Sequence, residues 1–199
     1  WDYVMEQRAK LDWVQKHFGD SNPYESLPKM NIYTYDLANI ISNNQYKDVE
    51  DTAFNFKEFF RVWTGDAEID RPKPTDKVKI GFFVYEKDIK NFLDLLVQYG
   101  EHNYPFSTNE YRDNFRHTLW MVPGVKEAKA LSALMKEHKV FQHFNIVNVA
   151  GEGDEEVKSD DALKMVLNAI SDKPDETRTI TLSCGRLTTG VSVPAWSAV

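Results

Sequence analysis

The chain has 199 residues, 42% of them hydrophobic and 13% aromatic, and a formal net charge of −7. That is enough apolar material for one large or two small domains with a real core, and it excludes a disordered chain. The negative balance excludes nucleic-acid binding by overall field alone but leaves room for a local basic groove. A single cysteine, Cys184, excludes an intrachain disulfide framework and suits a reducing cytoplasm. No apolar run is long enough to span a bilayer, and Trp1 opens an amphipathic, charged segment rather than a signal peptide. There is no initiator Met, and Val199 falls inside an apparent strand, so the expectation is a cytoplasmic piece of a longer protein.

Residues 1–18 carry Trp1, Val4, Met5, Leu11, Val14 and Phe18 as one stripe, which predicts a helix ended by Gly19 and the turn residues up to Pro23. A short β-like run at 32–35 follows, then a helix at 36–41 with Asp36 as its cap. Residues 54–63 place Phe56, Phe59, Phe60 and Trp63 at helical spacing. Such a stripe is a base-stacking platform in some proteins, but core or interface is the favoured reading. Residues 64–75 read as a loop, and 78–85 as a strand or a helix start. Residues 88–99 predict a helix with Ile89, Phe92, Leu93, Leu96 and Val97 inward and Gly100 as its cap.

From residue 115 the pattern sharpens. A strand is expected at 115–122, a turn at Pro123-Gly124, and a helix at 125–138 burying Ala128, Leu131, Leu134 and Met135. Another strand follows at 144–149, then an acidic loop at 151–158. Asp160 is the expected cap of a helix to Ile170 with Leu163, Val166, Leu167 and Ile170 inward. The last strand alternates Thr179, Thr181 and Ser183 with Ile180, Leu182 and Cys184 and stops at Gly185. Strand-helix-strand-helix-strand implies a parallel sheet. The division expected is a mainly helical region at 1–104 and an α/β lobe at 105–199.

The segment at 177–199 resembles a motif near the end of the second RecA-like domain of superfamily-two helicases, in the flavour of the type III restriction enzymes. Cys184 stands at the small polar position that ends the strand. Gly190-Val191-Ser192-Val193-Pro194 stands for the turn, with Ser192 replacing the usual acid. HTLWMVPGVKEAKALSALMKEH (117–138) resembles the strand-helix unit that opens that lobe, and VNVAGEG (147–153) its next strand and turn. The resemblance implies a RecA-like parallel sheet and the second motor lobe of a DNA helicase or translocase. Its partners would be DNA, the first RecA-like lobe of the same parent and a methyltransferase subunit. ATP and magnesium would belong to the parent. Cys184, Arg186, Thr188, Thr189 and Gly190 would touch DNA phosphates, with Gly190 and Ser192 toward the nucleotide cleft.

The chain has no Gly-x-x-x-x-Gly-Lys-Ser/Thr and no acidic pair closing an apolar strand. Phosphoryl transfer needs those parts together, so no ATPase activity and no bound ATP are expected of this piece. His138 and His143 lack partners at metal spacing, and no zinc site is expected. Cys184 is a weak nucleophile candidate, and Arg116 and His117 are interface candidates, although hydrogen bonding is the commoner fate of such a His.

Two other functions fit the residues. Residues 147–153 faintly echo the glycine loop of S-adenosylmethionine-dependent methyltransferases, although carboxylates crowd that loop and no helix begins directly after the glycines. A protein-interaction module, docking through the aromatic N-terminal half, is the third.

Overall fold

The computed structural model describes residues 16–17, 19, 32, 55–68, 78–100, 104–151, 159–187 and 191–199. The chain divides into two compact units, Trp1–Asp36 and Leu37–Val199. In the first, Lys16 and His17 are helical and Ile32 lies in no regular element. The rest of the expected 1–18 helix and 32–35 run, with the 36–41 helix, falls outside the described residues.

The second unit is built on three parallel strands, β1 (His117–Met121), β2 (Asn145–Asn148) and β3 (Thr179–Ser183), in the order β1-β3-β2. Among the described residues its α-helices are α1 (Phe56–Phe59), α2 (Glu86–Leu96), α3 (Asn109–Asn114), α4 (Val125–Glu137) and α5 (Ser159–Ile170). The α/β class and the parallel pairing inferred from the order of elements are therefore present. The central strand is the last in sequence. His117 pairs with Thr179 and Met121 with Ser183 on one edge, and Asn145 pairs with Thr179 on the other.

Local sequence explains the long helices. α4 combines strong helix formers with Ala128, Leu131 and Met135 on one buried face. α2 does the same with Ile89, Leu93 and Leu96. Each packs into a core on the first face of the sheet, together with Ile180, Leu182 and Val122. Rings dominate this core: Phe106 lies 5.1 Å from Phe141, 5.6 Å from Phe144 and 5.8 Å from Trp120, centroid to centroid. Phe59, Phe60 and Phe83 belong to the same cluster, so residues from both sides of position 104 share one core. Phe59 and Phe60 of the aromatic stripe are thus core, as favoured, whereas Phe56 stays exposed and Trp63 is half-buried beyond the end of α1.

The second face of the sheet is covered by α5. Ala162, Val166 and Ile170 pack with Val147, Val149, Leu187 and Val193. Strand alternation sends Ile180 and Leu182 to the first face and Thr179, Thr181 and Ser183 to this one. All five residues of β3 are buried.

Several local expectations are corrected. Residues 78–85 form neither strand nor helix; turns bring Phe83 into an isolated antiparallel bridge with Val62. Their apolar residues are held by pairing with a distant segment, which no local period encodes. Helix α2 is capped at Val97, whose N–H bonds to Asp94 O, and Gly100 lies beyond it. Asp160 lies in the first turn of α5 rather than before it, and Leu167 is 46% exposed. In the period of that helix, Leu163, Val166 and Ile170 already fill the covered face.

Leu182 is fully buried in the central strand. Leu182→Ala should cost about 2–5 kcal/mol in urea unfolding. Leu167→Ala should stay within about 0.5 kcal/mol. Equal costs would contradict the assignment of faces.

Candidate functional site

In open α/β sheets ligands sit beyond the carboxyl ends of strands, where neighbouring strands send the chain to opposite faces. Here β1 leads through Val122 and Gly124 into α4 on the first face. Its neighbour β3 leads through Cys184 to Leu187 and Val193 on the second. The ends stay joined, since Val122 N–H donates to Ser183 O at 2.8 Å. The position where that rule would put a ligand falls between Pro123-Gly124 and residues 184–186.

A tight turn shapes the β3 side. Ser183 Oγ donates to Arg186 O at 2.6 Å and accepts from Gly185 N–H at 3.3 Å. Gly185 has φ +130°, a conformation that disfavours any side chain, and its missing Cβ would meet open space. On the other flank, β2 ends in Asn148, whose Oδ1 accepts Ala150 N–H at 3.0 Å, and in Gly151 with φ +118°. Cys184 Sγ lies 3.9 Å from Ala150 O, so the ends of β2 and β3 are in contact.

The structure thus brings Cys184 and Arg186 together on one turn, both half-buried. Ser192 is exposed on the returning segment, and Thr188, Thr189 and Gly190 lie outside the described residues. Sequence reading missed the Ser183 hydroxyl as the closure of the turn. A serine directly before Cys-Gly at a strand end was the available signal.

At the opposite, amino end of the sheet His117 is buried. Its Nδ1 lies 3.0 Å from Thr179 Oγ1 and its Nε2 2.8 Å from Pro174 O. It is a hydrogen-bonded packing residue, not an interface group. Burial pushes its pKa below the ordinary value, against the Pro174 hydrogen bond, and Arg116 adds to the depression. His138 is depressed chiefly by burial too, although Asp94 opposes it. No helix among the described residues is long and apolar enough to cross a membrane.

This is an α/β protein with a three-stranded parallel sheet flanked by helices. It is 26% identical, over 214 residues that include the whole chain, to a Mycoplasma pneumoniae protein provisionally named the C-terminus of a type II restriction enzyme and methyltransferase. The chain spans 28% of that relative's length. No protein-family model matches, and no solved structure does.

The relation corrects the helicase reading. The restriction connection stands, but the relative is named for restriction and methyl transfer, not for a type III motor. The strand-helix order that suggested a motor lobe is common to many α/β proteins, and the fold rests at a three-stranded parallel sheet flanked by helices.

Two measurements check the two ends of the sheet. Ser183→Ala removes both hydrogen bonds of the turn and should cost about 1–2 kcal/mol, with faster amide exchange at 184–187. Unchanged exchange there would contradict the role given to that hydroxyl. The histidines contribute to the acid limb. The fold favours neutral His117 and His138, whereas the unfolded chain protonates near the ordinary 6.5. Below that pH the unfolded state binds more protons, so stability is full above it and falls as pH drops. Thermal melts should show that fall, with a shallower slope in His117→Gln; a rise on acidification would contradict it.

Proposed function

We propose that this chain is a module of a restriction–modification protein acting on DNA, and that its sheet edge receives the S-adenosyl methyl donor of the modification reaction. The observation that carries the reading is the match to the restriction and methyltransferase relative along the whole chain. The geometry at the strand ends supports it. Gly185, exposed in the turn after β3, holds φ +130° and a Cβ built there would meet open space, so that turn leaves room for an approaching nucleoside. In this module the protein would bind and orient the donor; transfer to DNA would use residues of the parent outside this chain as well.

Isothermal titration with S-adenosylmethionine tests the reading. Saturable binding in the micromolar range is expected, lost in Gly185→Val if that turn forms part of the pocket. No saturation up to about 1 mM ligand would overturn the donor-binding assignment.

A further inference from the structure

The chain is acidic overall, yet three arginines meet at the amino end of its sheet. Arg116 directly precedes β1 and Arg178 directly precedes β3, and the register that pairs His117 with Thr179 sets the two side by side. Both turn to the same carboxylate oxygen. Arg116 Nη2 donates to Asp113 Oδ1 at 2.7 Å, and Arg178 donates to it through Nη2 at 2.5 Å and Nε at 3.2 Å. Arg112 stands next to them on α3. Its guanidinium is fixed by neutral acceptors only: Phe106 O at 2.8 Å, Asn109 Oδ1 at 3.2 Å and Ser107 O at 3.5 Å.

Arg116 and Arg178 therefore share one anion, Asp113, while the neighbouring Arg112 is held by neutral acceptors. Among the described residues no other carboxylate forms an ion pair with any of the three, and Glu176, on the connector before β3, is taken by Lys173 at 2.8 Å. Burial and the Arg178 charge together lower the pKa of Arg112, as expected of a cation held near another cation. The cost of crowding like charges is relieved when an anion binds. These side chains are already ordered by their hydrogen bonds, so little rotamer freedom is lost on contact, and guanidinium forks match the geometry of a phosphate. The Arg116 and Arg178 side chains remain 25% and 29% exposed, which leaves their outer N–H groups reachable. The positive excess stops at Arg112. Beyond it lies a cleft of about 900 Å³ whose lysine, Lys139, is neutralised by Asp94 at 2.9 Å.

We propose that Arg112, Arg116 and Arg178 form a contact for the phosphodiester backbone of duplex DNA. The proposal rests on the restriction–modification reading for its choice of DNA. It places the nucleic acid at the sheet end opposite the one assigned to the methyl donor. Backbone contacts of this kind position a duplex without reading its sequence.

Fluorescence anisotropy of a labelled 20-base-pair duplex (about two helical turns) against the 199-residue protein, over a salt series, tests it. Arg116→Gln/Arg178→Gln should bind on the order of tenfold more weakly near 50 mM salt, with the slope of log K against log salt reduced by about one per arginine removed. Lys129→Gln, an exposed change on α4, should bind as the parent chain does. Asp113→Asn keeps all three arginines and should tighten binding, which covers the case of a double variant that fails to fold. Millimolar inorganic phosphate should compete only weakly; displacement of DNA by phosphate at its own low concentration would mean a free-anion site and overturn the proposal. DNA binding indifferent to the arginine and Asp113 changes would overturn it while leaving the restriction–modification reading intact. No DNA binding by any form would overturn both.

Discussion

A strand bonded along both edges and covered on both faces has no route to water, and everything around β3 follows from that. Every backbone N–H and C=O in it must find a partner in β1 or β2. Its apolar side chains close the aromatic core, and its hydroxyls need partners on the opposite face. Thr179 finds His117 in the facing position of β1, and Ser183 finds the carbonyl of Arg186 in its own following turn. Thr181, between them, is buried with its Oγ1 unpartnered, packed where Val147 lies across the register. Side-chain hydrogen bonds add to the ladder at the two ends of the strand, whereas the Thr181 side chain in its middle is held by packing alone.

That arrangement decides what the two ends of the sheet can do. At the carboxyl end, the Ser183 turn sends the chain to the α5 face while β1 sends it to the α4 face. At the amino end, the same register aligns the residues just before β1 and β3, both arginine. A chain with net negative charge thereby keeps a small, ordered cationic site. One sheet thus carries a serine-closed turn at one end and a guanidinium cluster at the other.

The elements with a local period were legible in the sequence. Ala128, Leu131 and Met135 mark α4 without reference to anything distant, and the order of strands and helices implied the parallel sheet. The alternation of β3 was also legible, but its meaning was not. A hydroxyl face turned to solvent and one turned to buried partners have the same pattern, and His117 lies 62 residues from Thr179. The Val62–Phe83 bridge and the meeting of Arg116 with Arg178 escaped for the same reason: both are products of pairing. The turn at Cys184 and Arg186 was found through a resemblance to helicases that the comparison with known proteins redirects toward restriction and methyl transfer.

Amide hydrogen exchange along residues 177–187 tests the central role of β3 most directly. The N–H groups of Ile180, Thr181 and Leu182 should be among the slowest in the chain, exchanging only on global unfolding, with protection dropping sharply at Gly185. Exchange of those three amides at the rate of the flanking turns would mean that the strand is not enclosed, and the sheet as described here would be wrong.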